Sequence, residues 1–246
     1  MYNYRIEIEY DGGRYDGWQR LGKDESNNTV ESRITAVLSK MCGREVELFA
    51  GMRTEKGVHA YGQVANFKCD TRMNCIEVLH YLNRYLPRDI AVINVQEMPE
   101  RFHASLNAKS KTFIYRIDAN DVPDVFERHY RYNVFKKPDI KKMNEACGYL
   151  IGSHDFKKFS SSKKNKSTVR NIIKANVIDD GSQIQIEIRA NDFLHNMARY
   201  IFGALLQVGN GDIQPQVIKE YLDVSSDKAP SEMADTCGLF LESIEY

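Results

Sequence analysis

The segment RTEKGVHA, residues 53–60, places a carboxylate between two cations at a glycine turn. Arg53 lies two residues before Glu55, so an extended backbone would send both side chains to the same face. A guanidinium in that position would keep the carboxylate ionised and orient it. Gly57 permits a positive φ and the close approach of a ligand. The pattern is typical either of a solvated turn or of an active-site loop in which Glu55 does chemistry, and His59 is interpreted as a packed histidine.

Two further segments are rich in side chains that bind RNA. The segment YDGGRYDGWQR, residues 10–20, fits a binding loop as well as it fits a surface loop anchored by a buried Trp18. Residues 157–174 contain seven basic side chains and no acid. In a chain of zero formal net charge, such a run favours contact with phosphates over a merely solvated face.

Arg199 lies inside the strongly apolar segment FLHNMARYIFGALLQVG. A buried arginine needs a carboxylate or phosphate partner, so this position is a second candidate for a functional cation. The sequence contains no GxGxxG after a strand, no GxxxxGK[ST], no HExxH and no GxSxG. Nucleotide cofactors, zinc and serine hydrolysis therefore have no support.

Composition describes an ordinary globular chain of 246 residues with 42% hydrophobic and 28% charged residues. Zero net charge means that a nucleic-acid partner must be held by local patches. The five cysteines form no CxxC pair, which favours reduced, cytosolic thiols over a disulfide framework or a zinc site. The N-terminus lacks an apolar signal core, and no apolar run is long enough to span a membrane.

Hydrophobic periodicity predicts two halves with a similar order of strands and helices. In the first half, a strand at YRIEIEY precedes a helix capped by Asn28 or Thr29 and closed by Gly43, and a second helix stops at Pro87. The second half contains a helix at DIKKMNEACGYLIG, a hairpin around residues 180–181 and the apolar helix around Arg199. Since the spacing is not that of regular βαβ units, we expect an α+β fold with mixed or antiparallel sheets flanked by helices.

The predicted boundary separates residues 1–105, which carry the Glu55 loop, from residues 106–246, which carry the basic segment. A cleft between the two subdomains is expected to hold the ligand. The repeat is architectural and does not rest on residue identity.

Taken together, these segments resemble the TruA family of tRNA pseudouridine synthases. The matching motifs occur in order over almost the entire chain: YDGGRYDGWQR, RTEKGVHA, LNRYLPRDIAV, FHASLNAKSKTFIYRI, DFKKFSSS with TVRNI, ANDFLHNMARYIFGALLQVG and GLFLESIEY. The resemblance implies a pseudouridine-synthase-like fold, a cytoplasmic homodimer, tRNA as partner, and no metal or cofactor. It implies isomerisation of uridine to pseudouridine at positions 38 to 40 of the anticodon stem-loop.

The resemblance also assigns roles to individual residues. Glu55 stands where the family has its catalytic aspartate, and Arg53 matches the arginine two residues before it. Tyr115 matches the tyrosine that stacks on the target base, and Arg199 matches the arginine that pairs with the catalytic carboxylate. The expected RNA-binding residues are Tyr10, Arg14, Trp18, Gln19, Arg20, Lys56, His59, Lys157, Lys158, Lys163, Lys164, Lys166 and Arg170.

The replacement of aspartate by Glu55 leaves two interpretations open. One extra methylene moves the carboxylate by roughly 1.5 Å, and a displacement of about 1 Å can cost about a hundredfold in rate. Lys56, which replaces an alanine of the family, could keep Glu55 ionised, contact phosphate, or pair with Glu55 and block it. Either the loop has shifted so that Glu55 works in a synthase, or an impaired protein binds tRNA or another structured RNA without isomerising it. The retained Arg53, Tyr115 and Arg199 favour the synthase.

Overall fold

The computed structural model describes residues 1–19, 26–70, 72–161 and 167–246 and divides the chain into two compact units. The first unit is Met1–Lys109 with Leu241–Tyr246, and the second is Ser110–Phe240. The first unit therefore ends after Lys109 rather than at residue 105. It also contains the chain's last residues, because the backbone amide of Lys109 donates to the carbonyl of Glu245 at 2.8 Å.

The first unit is built on an antiparallel sheet with two helices. Its strands are β1 (Tyr2–Tyr10), β2 (Leu48–Ala50), β3 (His59–Cys69) and β4 (Ile90–Met98). Strand β1 pairs with both β3 and β4, and β2 pairs with β3. Helix α1 (Val30–Cys42) packs on helix α2 (Cys75–Tyr85), and α2 packs on β4.

The helix boundaries in the first unit follow the capping signals. The Oγ1 of Thr29 accepts from the amide of Ser32 at 3.2 Å, and Gly43 ends α1 in the left-handed conformation at φ 68°. Helix α2 ends immediately before Leu86 and Pro87. The predicted cap at Thr29 and the predicted stops at Gly43 and Pro87 are confirmed.

Among its described residues, the second unit combines mostly antiparallel strands with three helices. Its strands are β5 (Ser110–Asp118), β6 (Tyr132–Asn133), β7 (Gly152–Asp155), β8 (Val169–Asp179) and β9 (Ile184–Ala190). The order is β5-β9-β8-β7, and β6 pairs with β5 in parallel. Helix α3 (Ile140–Leu150) packs on β8 and on helix α4 (Met197–Asn210), and α5 (Val217–Leu222) packs on α3. A 3-10 helix spans Lys157–Phe159, and β10 (Leu239–Glu245) follows α5.

Helix α4 is the apolar centre of the second unit. It begins at Met197 and not at Phe193, because Asn196 takes a left-handed conformation at φ 63° that cannot continue a helix. Gly203 lies on its buried face, where an added Cβ would come within 2.4 Å of the carbonyl oxygen of Glu232. The predicted hairpin between β8 and β9 is confirmed, with Gly181 at φ 85° in its turn.

The α+β prediction is confirmed by these sheets and helices. The pairs β1–β3, β1–β4, β2–β3, β5–β9, β7–β8 and β8–β9 are antiparallel, and β5 pairs with β6 in parallel. Within the part of the chain that the structure describes, no helix combines the length and apolar character needed to cross a membrane.

Candidate active site

Glu55 belongs to a loop whose backbone is held by a neighbouring loop of the same unit. We call residues 51–58, between β2 and β3, the carboxylate loop. The amide of Trp18, in the loop after β1, donates to the carbonyl of Thr54 at 3.0 Å. The amide of Gly57 donates to the carbonyl of Tyr15 at 3.3 Å. These bonds on both sides of Glu55 fix the path of the backbone that carries the acid.

Glycines make the close approach of the two loops possible. An added Cβ at Gly12 would lie 1.9 Å from the carbonyl oxygen of Val58. At Gly17, where φ is +96°, an added Cβ would lie 2.9 Å from the carbonyl oxygen of Thr54. Gly57 has a φ of 79°, so the predicted positive φ is confirmed. Side chains at Gly12 and Gly17 would therefore push the carboxylate loop away.

Buried polar side chains support the carboxylate loop from beneath. The hydroxyls of Tyr10 and Thr54 are 2.7 Å apart. Gln63 donates its Nε2 to the carbonyl of Met52 at 2.7 Å and accepts from the Met52 amide at 3.3 Å. Burial raises the pKa of Tyr10; hydrogen bonds with Thr54 and Gln63 oppose this shift, and the negative charge of Glu55 adds to it. The Glu55 carboxylate is therefore close enough to Tyr10 for its negative charge to raise the pKa of the phenol.

Lys56 is paired with an aspartate of the opposing loop. Its Nζ lies 2.8 Å from Oδ1 of Asp16, while most of the lysine side chain is exposed. The hydrogen bond from Lys56 is the largest cause that lowers the pKa of the Asp16 carboxyl. The structure pairs Lys56 with Asp16, and the role of Lys56 towards Glu55 and phosphate stays a prediction. A contact with phosphate would require Lys56 to leave Asp16.

Arg53 is exposed and acts on a different carboxylate. Burial raises the pKa of Glu31 on α1, and the charge of Arg53 and a hydrogen bond from Gln19 oppose that rise. The Nε2 of Gln19 is 3.3 Å from Oε1 of Glu31. Arg53 and Gln19 thus meet at Glu31, and the orientation of Glu55 by Arg53 stays a prediction.

Tyr115, on β5 of the second unit, is fully buried. Its ring stacks on Phe202 at a centroid distance of 5.4 Å and is tilted against Tyr132 at 6.0 Å. Its hydroxyl has no hydrogen-bond partner among the described residues. Burial strongly raises the pKa of Tyr115, so the phenol is neutral. Because the ring is fully buried and Phe202 covers one of its faces, a base could stack on Tyr115 only after neighbouring side chains move.

Arg199 lies near Tyr115 in the same unit, on the first turn of α4. Its positive charge acts against the raised pKa of Tyr115. The Nε of Arg199 donates to the carbonyl of Ala234 at 2.9 Å, and the amide of Ala234 donates back to the carbonyl of Arg199 at 2.9 Å. Arg199 is half-buried rather than fully buried, so the cost that demands an anionic partner is smaller than the sequence suggested.

Three of the predicted RNA-binding residues are buried in the first unit: Tyr10, Trp18 and His59. The rings of Tyr10 and Trp18 are 6.0 Å apart, and Nδ1 of His59 accepts from the amide of Gly12 at 3.1 Å. Their burial favours support of the carboxylate loop over direct contact with RNA. The interpretation of His59 as a packed histidine agrees with this position.

Some of the predicted basic residues already have partners in the structure, and others are exposed. Arg14 pairs with Asp89, whose Oδ1 also accepts from the hydroxyl of Tyr15 at 2.8 Å. Lys157 is exposed, whereas the Nζ of Lys158 donates to the carbonyls of Asp223 and Ser226.

In the same basic segment, the Nη2 of Arg170 lies 3.5 Å from Oδ2 of Asp192, which also binds Lys111. The remaining predicted residues lie outside the described residues: Arg20, Lys163, Lys164 and Lys166. Of the described part of this segment, Lys157 is therefore the most available to a phosphate.

Several supporting residues have no signal in the sequence. Each makes a contact with a residue distant in sequence: Thr54 with Tyr10, Gln63 with Met52, and Asp16 with Lys56. Only the glycines of YDGGRYDGWQR indicate close packing of the loops. All five cysteines are free. In the described part of the chain, no group of three or more His, Cys, Asp or Glu side chains could hold a metal ion.

Comparison with known proteins assigns the chain to a family of isomerases. The profile described as tRNA pseudouridine synthase matches residues 7–107 and 146–246, which is more than half of the chain. A Bacillus cereus protein named tRNA pseudouridine synthase A 2 is 43% identical over 247 residues, with 100% of both chains covered. A Clostridium perfringens protein of the same name is 39% identical over the same length, again with 100% of both chains covered. The chain belongs to the tRNA pseudouridine synthase family.

A solved structure of a Cbf5-Nop10-Gar1 complex is also similar to the chain, at 13% identity and a TM-score of 0.31. The match covers 83% of this chain and 54% of the other, so this chain spans about half of that protein. The assignment to the family rests on the profile and on the full-length relatives.

Proposed function

We propose that the chain isomerises uridine to pseudouridine in tRNA, at positions 38 to 40 of the anticodon stem-loop. Glu55 is the carboxylate that acts at the ribose. The single observation that carries the proposal is the carboxylate loop, whose backbone is hydrogen-bonded on both sides of Glu55 by Trp18 and Tyr15. A fixed backbone holds one acid in a defined position, which a reaction at a sugar carbon requires. The names of the full-length relatives support the same reaction.

The reaction exchanges one bond to the sugar for another. The N1–C1′ bond breaks, the base rotates, and C5 bonds to C1′; the C5 proton leaves to solvent and N1 takes up a proton. Glu55 can attack the sugar, stabilise an oxocarbenium-like centre, or remove a sugar proton, and glycosidases use carboxylates against related charge. No net oxidation occurs, so the reaction needs no redox cofactor.

The residues of the second unit have complementary roles in this proposal. A target uridine must leave its stack to be reached, and the ring of Tyr115 replaces the lost stacking. Its neutral phenol suits a base without formal charge. Arg199 supplies the cation that the resemblance to the family assigns to the catalytic carboxylate, and Lys157 contacts the phosphate backbone. In the first unit, Arg53 orients Glu55.

The proposal includes a cytoplasmic homodimer without metal or cofactor. The free cysteines suit a reducing compartment. Light scattering on the purified protein tests the dimer, which predicts twice the chain mass of 28.4 kDa.

The alternative function is RNA binding without isomerisation, and the glutamate in place of aspartate favours it. A tRNA transcript carrying uridine tritiated at C5 separates the two functions. The synthase releases tritium to water in proportion to the uridine converted. A pure binder retains the label at high enzyme concentration while it binds tRNA in a salt-dependent manner. If the protein neither releases tritium nor binds tRNA at low salt, both functions are wrong.

A further inference from the structure

The first unit carries an open groove that does not include the carboxylate loop. It has a volume of about 580 Å³ and lies between α1 and the end of α2. This volume is within the range of sites that hold small ligands or single nucleotides. Its floor is apolar, formed by Ala36, Val37, Leu86 and Pro87.

The edge of the groove is cationic. Arg14 and Arg33 line it, and none of the described residues that line it carries a carboxylate. Arg14 is engaged by Asp89, but Arg33 is exposed and its Nη2 donates only to the neutral Oδ1 of Asn28, at 2.8 Å. Among the described residues, Arg33 has no ion-pair partner. Within the described part of the chain, the Arg33 guanidinium can therefore meet an anion without first breaking a salt bridge.

An exposed aromatic side chain stands beside these cations. Tyr85 lines the groove and has 56% of its surface exposed. Its ring is 4.7 Å from that of Tyr81, and the guanidinium carbon of Arg84 is 5.7 Å from the ring centroid of Tyr85. An exposed tyrosine flanked by arginines is the combination that stacks a base and holds its phosphate.

We propose that this groove binds one nucleotide of the RNA substrate other than the target uridine. The base stacks on Tyr85 over the apolar floor, and the phosphate binds Arg33. We infer an RNA nucleotide as the occupant because an exposed tyrosine beside arginines can hold a base and its phosphate together. The identity of the RNA as tRNA rests on the proposed function.

A short chain of contacts joins this groove to the carboxylate loop within the same unit. The Nδ2 of Asn28, a lining residue, donates to the carbonyl of Arg14 at 2.7 Å. The carbonyl of Asn28 accepts from the amide of Asp16 at 2.9 Å, and Asp16 pairs with Lys56. Hydrogen bonds through Asn28 therefore connect the groove to the loop that holds the carboxylate loop.

Binding of a fluorescent tRNA transcript tests the groove. Tyr85→Ala should weaken binding by about 5- to 100-fold, the range for the loss of one base stack. Arg33→Ala should reduce the slope of log affinity against log salt by about one phosphate contact. Both variants should raise KM in tritium release while leaving kcat close to the wild-type value, since neither residue touches the reacting atoms.

A second exposed tyrosine–arginine pair in the same unit provides matched controls. The guanidinium carbon of Arg72 is 6.0 Å from the ring centroid of Tyr2, and neither residue lines the groove. Tyr2→Ala and Arg72→Ala should bind tRNA as the wild type does. The proposal is overturned if the groove variants also bind like the wild type, or if they lose only self-association in sedimentation. A wild type that binds tRNA through Tyr85 but releases no tritium would contradict the proposed function and leave the groove standing.

Discussion

At the scale of single residues, the proposed activity depends on one carbon atom in the side chain of Glu55. Glu55 is a methylene longer than the family's aspartate, and the carboxylate loop is held too closely for its backbone to move freely. Gly12 and Gly17 already bring the two loops to contact. Lys56, the nearest cation in sequence, is held by Asp16. Because the backbone of the loop is held, the length of the Glu55 side chain decides how far its carboxylate reaches from the loop.

Glu55→Asp tests whether the loop is adapted to glutamate. The shorter side chain withdraws the carboxylate by more than 1 Å, so we expect kcat for tritium release to fall by about 100-fold. Glu45→Asp, at an exposed position of the same unit, should leave kcat unchanged. A higher kcat in Glu55→Asp than in the wild type would show that glutamate at this position slows the reaction.

Glu55 and Gly57 could be recognised from the sequence because their chemistry is local to one turn. Asp16 and Gln63 could not, because each acts on the carboxylate loop from a segment distant in the chain. The sequence leaves open whether Trp18 is buried or contacts a ligand, because a motif shows residue types and not which face of a loop they occupy. The structure shows Trp18 buried.

At the scale of elements, glycines decide whether the two loops of the first unit can meet. Gly17 combines a φ of +96° with an added Cβ 2.9 Å from the carbonyl oxygen of Thr54. Gly43, at the end of α1, has a φ of +68° but nothing within 4 Å of an added Cβ. Substitutions at Gly17 and Gly43 therefore separate the effect of backbone strain from the effect of displacing the carboxylate loop.

Gly17→Ala should lower both stability and activity, whereas Gly43→Ala should lower stability alone. Each variant bears the cost of a left-handed alanine, about 1–2 kcal/mol. Only Gly17→Ala also displaces the loop, and we expect a loss in kcat of about 100-fold. Urea denaturation and tritium release measure the two effects. Equal activity in both variants would mean that the contact between the loops does not position Glu55.

The longer helices were predictable because their signals are local. Thr29, Gly43 and Pro87 mark helix ends through their own backbone and side-chain preferences. Short elements such as β6 and α5 depend on the partners that the rest of the fold supplies, so the sequence did not reveal them. The later start of α4 depends on the left-handed Asn196, which no periodicity reports.

At the scale of the whole molecule, the first unit is not one continuous segment of the chain, because it also contains Leu241–Tyr246. The hydroxyl of Tyr246 donates to the carbonyl of Ala104 at 2.8 Å, and the backbone of Glu242 leaves no room for a side chain at Gly62. These contacts place the end of the chain in the first unit. They depend on tertiary packing and have no signature in the sequence.

Global stability should reveal the buried, neutral phenol of Tyr115. Its folded pKa lies above the unfolded value of about 10. Below that pH both states are neutral and Tyr115 adds no pH dependence, whereas above it the unfolded state alone loses a proton and stability falls. Tyr115→Phe should remove the part of the alkaline loss that is due to Tyr115, while the part due to Tyr4 and Tyr10, whose pKa values are also raised by burial, stays. At pH 7 it should be as stable as the wild type or up to about 1 kcal/mol more stable, because an unsatisfied hydroxyl is removed.

Tyr4→Phe is the matched control for urea denaturation across pH 7 to 11. The hydroxyl of Tyr4 accepts from the amide of Met73 at 2.8 Å and donates to its carbonyl at 3.2 Å. Its removal should therefore destabilise the protein at pH 7 by about 1–3 kcal/mol. A comparable loss in Tyr115→Phe would show that its hydroxyl has a structural partner.

Single-turnover tritium release by Glu55→Gln, with tRNA bound to excess enzyme, tests the central claim most directly. Glutamine keeps the length and most of the shape of the side chain but cannot act as a base or a nucleophilic carboxylate. We expect the rate to fall by about 100- to 10,000-fold, with the Kd for tRNA unchanged. A Glu55→Gln variant that releases tritium at the wild-type rate would show that the chemistry does not depend on this carboxylate.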